Sequence, residues 1–142
     1  MSDTSTVTVI GAGALGAAMA ARLAETGHHV RLWNRTPAKA RSVAAQVPGI
    51  EAVPQIVDAV RNASVVLTVL RDGEAVADVM NTAIHALEDG AAWVQASTVG
   101  PVSARTLSEL ARRHGVAYLD APVSGSTGAA RSGTLVWLVA GS

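Results

Sequence analysis

Cysteine is absent from the 142-residue chain, which excludes a disulfide framework and any thiolate nucleophile or metal ligand. Lysine occurs once, as Lys39, and tyrosine once, as Tyr118, so an ammonium or phenol acid has one address each. Neither charge sign is in surplus: 11 basic residues face 11 acidic ones. Such a chain has no overall field to draw in nucleic acid or an anionic membrane, and neither is expected as a partner. Long apolar runs are missing too. Val65 to Leu70 is among the longest, far short of the ~20 residues a membrane helix needs, so the 49% hydrophobic content describes a dense core. The amino terminus shows no basic segment followed by an apolar signal core, and a cytoplasmic location is the expectation. A further absence is local: no acid stands between Glu25 and Glu51.

The length suits one domain, residues 1–142, able to bury roughly two thirds of its unfolded surface. Apolar periodicity alternates between the strand and helix types. Thr6 to Ile10 and Val30 to Trp33 read as strands around a helix in which Leu15, Ala18, Met19 and Leu23 recur at helical spacing and which Gly27 stops. Thr36 is placed as the N-cap of a second helix with Pro37 at its first position. Val65 to Leu70 is apolar on both faces except at Thr68, as in a parallel strand covered on both sides. Asp72 then caps a helix with a stripe of Val76, Val79, Met80, Ala83, Ile84 and Leu87. Strands near Ala92 to Ala96, Val116 to Leu119 and Thr134 to Val139 follow, with a helix opened by Pro101 and closed by Arg112, Arg113 and His114 before Gly115. No solenoid repeat or low-complexity tract interrupts the pattern. The alternation predicts an α/β fold, a Rossmann-type doubly wound, mostly parallel sheet.

In that context Gly11, Gly13 and Gly16 have a use. Where a strand turns into the first helix, Gly11 permits the turn, Gly13 lets a pyrophosphate reach the backbone, and Gly16 lets helix and strand pack closely. The backbone of Gly11, Ala12, Gly13, Ala14, Leu15 and Gly16 is therefore a candidate dinucleotide site. At the end of the second strand an acid would accept hydrogen bonds from a ribose 2′-OH and repel a 2′-phosphate. Asn34, Arg35 and Thr36 stand there instead, with Lys39 or Arg41 one helical turn on. NADP is expected over NAD: two charge-assisted bonds, discounted for exposure to about 3 kcal/mol, give on the order of a hundredfold preference.

Ligands of such sheets lie outside the carboxyl ends of the strands. Leu70 and Arg71, Ser97 and Thr98, and the stretch from Asp120 to Gly125 follow strands and should meet on one rim. These stretches, G-A-G-A-L-G, W-N-R-T, A-S-T-V-G-P and D-A-P-V-S-G-S-T-G-A-A-R-S-G-T-L, resemble the amino-terminal domain of the β-hydroxyacid dehydrogenases. That family includes 3-hydroxyisobutyrate dehydrogenase, tartronate semialdehyde reductase and glyoxylate/succinic semialdehyde reductases, and 6-phosphogluconate dehydrogenase and the imine reductases are more distant relatives. The resemblance covers essentially the whole chain. It implies that Gly11 to Gly16 hold the pyrophosphate and that Asn34, Arg35 and Thr36 hold the 2′-phosphate. It places Leu70, Arg71 and Thr98 in the cofactor site, Leu70 and Thr98 toward the nicotinamide, and Ser124, Gly125 and Ser126 around the substrate carboxylate. Gln95 departs from the pattern where an acid is common, Gly100 where serine often precedes Pro101, and Ser126 where a second glycine often follows.

In the family a lysine of the following helical domain acts as general acid, at a position expected beyond Ser142. Lys39 belongs to the adenosine end, and Tyr118 reads as core. His28, His29, His85 and His114 have no partner at triad or metal spacing, so no metal is expected. Trp33, Trp93 and Trp137 read as packing and Asp120 as orienting its loop. The expected function is thus the NADP-binding domain of an oxidoreductase acting on a small 3-hydroxy acid or semialdehyde, inactive alone and homo-oligomeric as a full-length enzyme. A domain of an imine reductase and a non-catalytic nucleotide-binding module remain alternatives, so the small-molecule substrate is a carboxylate or an imine.

Overall fold

The computed structural model describes residues 5–124, 127–133, 136–137 and 140–141. The chain runs β1 (Thr6–Ile10), α1 (Ala14–Glu25), β2 (His29–Trp33), α2 (Pro37–Gln46), β3 (Ile50–Ala52), α3 (Ile56–Val60), β4 (Val65–Thr68) and α4 (Gly73–Ala83). It continues through β5 (Ala92–Gln95), α5 (Gly100–Arg113), β6 (Ala117–Asp120), β7 (Val123–Ser124), α6 (Thr127–Ser132), β8 (Val136–Trp137) and β9 (Ala140–Gly141). Six strands pair in parallel in the order β3-β2-β1-β4-β5-β6, and β9 adds to β6 in the antiparallel sense. This is the expected Rossmann-like sheet, and the strand order reverses between β1 and β4, where a crevice opens.

Strand alternation sends each strand's side chains into two cores. Val9, Leu32 and Leu67 pack with Ala18, Met19 and Ala40 on one face, while Ile10, Val66 and Trp93 pack with Val76, Met80 and Leu107 on the other. The apolar stripe of α4 is buried at Val76, Val79, Met80 and Ala83 and continues through a 3₁₀ turn at Ile84–Ala86. Asp72 caps α4 as expected, its Oδ1 accepting from the Ala75 amide at 2.9 Å. Asp72→Ala is expected to cost about 1 kcal/mol of stability, checked by urea denaturation.

Three expectations differ. Thr36 occupies the N-cap position of α2, but its hydroxyl makes no cap bond. Its carbonyl accepts from the Lys39 amide instead, so the turn closes through backbone. The expected strand from Thr134 to Val139 is two pieces: β8 pairs with β7 in a separate two-stranded sheet and β9 joins β6, while Thr134, Leu135, Leu138 and Val139 lie outside the described residues. Finally, β3 and α3 leave no signal in the sequence, because segments of three and five residues are too short to display a period.

Tyr118 packs edge-on against Trp93, ring centroids 4.7 Å apart, and its buried hydroxyl has no hydrogen-bond partner among the described residues. Burial, and secondarily the Asp120 charge, push the phenol well above its ordinary value of 10.0. A raised value means the folded state resists ionisation. Its stabilising share is present below pH 10.0 and is lost as pH rises past it, because only the unfolded chain ionises readily. Tyr118→Phe is expected to stabilise the fold by about 1 kcal/mol near neutral pH, by removing an unsatisfied hydroxyl, and to flatten the alkaline loss. Denaturant titrations at neutral and alkaline pH check both.

Candidate functional site

The turn between β1 and α1 is stitched to the end of β2 by two bonds. The Gly11 amide donates to the Trp33 carbonyl at 2.8 Å, and the Ala12 amide donates to Asn34 Oδ1 at 2.9 Å. Asn34 Nδ2 in turn donates to the Thr36 carbonyl at 3.2 Å. Asn34 thus braces two turns against each other, a framework role besides the 2′-phosphate contact that the resemblance implies for it.

The three glycines answer to different constraints. Gly11 has φ +120°, and a Cβ there would collide with the Val69 carbonyl. A Cβ at Gly16 would collide with the Gly11 carbonyl, so both glycines serve the close approach of β1, α1 and β4. Gly13 differs. Its φ of −68° and ψ of −179° suit any residue, and a Cβ would meet nothing within 4 Å. Nothing among the described residues requires a glycine there, and the position leaves an open cradle against the backbone. Behind it α1 begins with no side-chain cap and no acid in its first turn. Helix geometry leaves the Ala14, Leu15 and Gly16 amides without intrahelical partners, at the positive end of the dipole.

Gly11 and Gly13 open onto a groove of about 320 Å³ lined also by Trp33, Asn34, Arg35, Thr36, Lys39, Val69, Leu70, Arg71, Ala75 and Val79. Among the described residues its charged lining is three cations, Arg35, Lys39 and Arg71, and no carboxylate. A groove lined by both backbone donors and cations suits an extended polyanion. Arg41 stands apart, in a smaller hollow with Pro37, Ala40, Ala52, Val53 and Pro54. Leu70 and Arg71 thus share the groove of Arg35, whereas Thr98 lies in a second hollow of about 190 Å³ with Asp120 and Pro122.

Ser97, expected among the rim hydroxyls, is turned inward. It is 3% exposed, accepts from the Leu70 amide at 2.8 Å and donates to the Thr68 carbonyl at 3.2 Å. Gln95 locks this corner: its Oε1 accepts from the Ser97 amide at 2.8 Å, and its Nε2 donates to Asp120 Oδ1 at 3.2 Å. Asp120 is thereby tied to its neighbour strand, in keeping with an orienting role. Thr98 stays exposed. Ser124 has its backbone in β7, while Gly125 and Ser126 lie outside the described residues. Trp33, read as packing, lines the groove as well as packing, and Ala75 and Val79 of α4 were not anticipated there. Among the described residues no cluster of three metal-ligating side chains occurs, and no helix is long and apolar enough to cross a membrane.

The strand order, the bare helix start and the cationic groove define a dinucleotide-binding α/β domain. The chain belongs to the family described as the NAD binding domain of 6-phosphogluconate dehydrogenase, whose model matches residues 6–142; its cofactor is a nicotinamide dinucleotide. A probable 3-hydroxyisobutyrate dehydrogenase of Mycobacterium tuberculosis is 35% identical over 137 residues, covering 96% of this chain and 46% of the relative. An NAD-dependent L-serine dehydrogenase of Pseudomonas aeruginosa is 33% identical over 138 residues, covering 95% and 46%. The solved structure of the M. tuberculosis 3-hydroxyisobutyrate dehydrogenase with L-serine superposes with TM-score 0.92 at 34% identity, over 99% of this chain and 47% of that one. A reductive aminase of Aspergillus terreus in complex with NADPH and ethyl-5-oxohexanoate superposes with TM-score 0.76 at 28% identity, over 89% and 43%; imine reductases share the fold. The chain spans about half the length of the relatives it matches.

Proposed function

We propose that this chain is the NADP(H)-binding domain of an oxidoreductase that transfers hydride between the cofactor and a small 3-hydroxy acid or semialdehyde. One observation carries the NADP preference: among the described residues the lining of the groove presents Arg35, Lys39 and Arg71 and no carboxylate, so a 2′-phosphate meets cations where an NAD site would offer an acid to a 2′-hydroxyl. The open cradle at Gly13 and the first-turn amides of α1 fit the pyrophosphate. In this reading Asn34 holds the glycine turn, Arg35 and Thr36 meet the 2′-phosphate, and Leu70 and Thr98 flank the path toward the nicotinamide. Ser124, Gly125 and Ser126 anchor the substrate carboxylate. The nicotinamide, once bound, supplies the hydride.

In this reading the residues of this chain bind and orient, and among the described residues neither the one lysine nor the one tyrosine stands where it could deliver a proton to the substrate oxygen. Lys39 lines the groove of Arg35, and the Tyr118 hydroxyl is buried in the core with its phenol pushed toward the neutral form. A positioned general acid typically supplies ~10²- to 10⁴-fold in rate, so the 142-residue chain by itself is expected to bind cofactor without turnover. Cytoplasmic location and a homo-oligomeric full-length enzyme belong to the same proposal. Likeness to the reductive aminase at 28% identity supports a second reading, imine reduction. Calorimetric titration with NADPH and NADH tests the first claim; a preference for NADH, or none, overturns it. Absorbance at the reduced nicotinamide band with glyoxylate, succinic semialdehyde, methylmalonate semialdehyde and a cyclic imine tests the second. Sustained turnover by the purified chain would place the acid within it, and the substrate that turns over would decide between the two chemistries.

A further inference from the structure

Asp78 lies on α4 at the rim of the groove. Ala75 and Val79, which line the groove, and Asp78 fall at i, i+4 and i+3 of one helical face. Its Oδ2 is 3.9 Å from Arg35 Nη2, the two side chains being 61% and 65% exposed. The pair therefore links the turn after β2 to α4, the two sides between which the groove runs. The other carboxylate near these cations has separate employment: Asp72 is 3.5 Å from Arg71 Nε, but it caps α4 through the Ala75 amide. Asp78 shows no second partner among the described residues, and Lys39 has no ion-pair partner among them. An exposed ion pair contributes little to folding stability, so the consequence of Asp78 falls on whatever Arg35 binds.

We infer that Asp78 sets how strongly the groove discriminates a 2′-phosphate from a 2′-hydroxyl, by competing for the Arg35 guanidinium. The inference rests on the proposed NADP reading. A phosphate dianion that engages Arg35 must displace or share it with a carboxylate of like charge, which lowers its affinity. A ribose hydroxyl carries no charge and is indifferent to the exchange. Asp78 is thus a determinant of cofactor selectivity that acts through Arg35, without being a ligand of the cofactor itself.

The test is calorimetric titration of the whole chain and of Asp78→Asn, Arg35→Ala and the double variant with NADPH, NADH and adenosine 2′,5′-bisphosphate, at low and high salt. Asp78→Asn keeps the side-chain shape at an exposed position and removes only the charge. It is expected to tighten NADPH and the bisphosphate about three- to tenfold at low salt and less at high salt, and to leave NADH within about twofold. In the Arg35→Ala background the gain should shrink to about twofold or less, the signature of action through the arginine. An unchanged NADPH affinity in Asp78→Asn, an equal gain for NADH, or an undiminished gain without Arg35 overturns the inference. If NADPH is preferred and Arg35→Ala removes the preference while Asp78→Asn does nothing, only this inference falls. If wild-type protein binds both dinucleotides equally and Arg35→Ala changes neither, the phosphate reading falls and this inference with it.

Discussion

Arg35→Ala is expected to weaken NADPH binding roughly ten- to thirtyfold while leaving NADH within about twofold, erasing most of the selectivity of the groove. The magnitude follows from the geometry of the side chain. A guanidinium gripping phosphate through charge-assisted bonds is worth about 1.5 to 3 kcal/mol per bond when shielded from water. Arg35 is 65% exposed and has Asp78 at 3.9 Å, so screening and competition bring the net effect to about 1.5 to 2 kcal/mol. That is smaller than the hundredfold expected from residue types with an allowance for exposure, because the opposing acid Asp78 is a property of the fold. Lys39 and Arg71 line the same groove and retain part of the attraction, so the variant still binds NADPH. Titration of wild type and variant with both dinucleotides at fixed salt measures the effect. An equal loss for NADH and NADPH would show that the arginine supports the groove without reading the 2′ position.

The parts legible in the sequence were those written in short range. Gly11, Gly13 and Gly16 stand at fixed offsets inside one strand-turn-helix unit, and Asp72, three residues before the amide it caps, declares its helix locally. The stripe of α4 repeats often enough to be read. What escaped reading depends on which strands lie side by side. Ser97 looks like a rim hydroxyl until β4 comes within reach and its Oγ bridges the Leu70 amide and the Thr68 carbonyl. Asn34 and Ala12 are 22 positions apart and meet because β1 and β2 pair in register, Ile10 beside Trp33. Asp78 belongs to Arg35 only across the reversal between β1 and β4. Trp33 did carry a usable signal: in β2 the fully buried residues are Val30 and Leu32. Trp33 alternates with them, on the side of Arg31, at the carboxyl end of a strand where ligands gather.

Gly13→Val is expected to abolish binding of NADPH and NADH alike, by on the order of a hundredfold or more, in a chain that remains folded. The dihedrals at Gly13 are open to a branched residue. A Cβ there meets no protein atom within 4 Å, so the cost to the fold is about 1 kcal/mol, that of a poor N-cap at α1. Outside the protein the result is different. A pyrophosphate oxygen accepting from first-turn amides must come within about 3 Å of the backbone, and two methyl groups in the cradle hold it off. Losing two charge-assisted bonds at about 1.5 to 3 kcal/mol each, partly offset by readjustment, leaves a deficit of about 3 kcal/mol. Because the pyrophosphate is common to both dinucleotides, selectivity should survive in whatever binding remains, the opposite of the Arg35 variant. Gly16→Val provides the contrast: its Cβ would collide with the Gly11 carbonyl, so that variant should lose several kcal/mol of stability and fail to fold normally. Thermal unfolding followed by circular dichroism, together with titration of each dinucleotide, separates the cases. Normal NADPH affinity in folded Gly13→Val would mean that the phosphates do not cross this turn and that the cationic groove serves another anion.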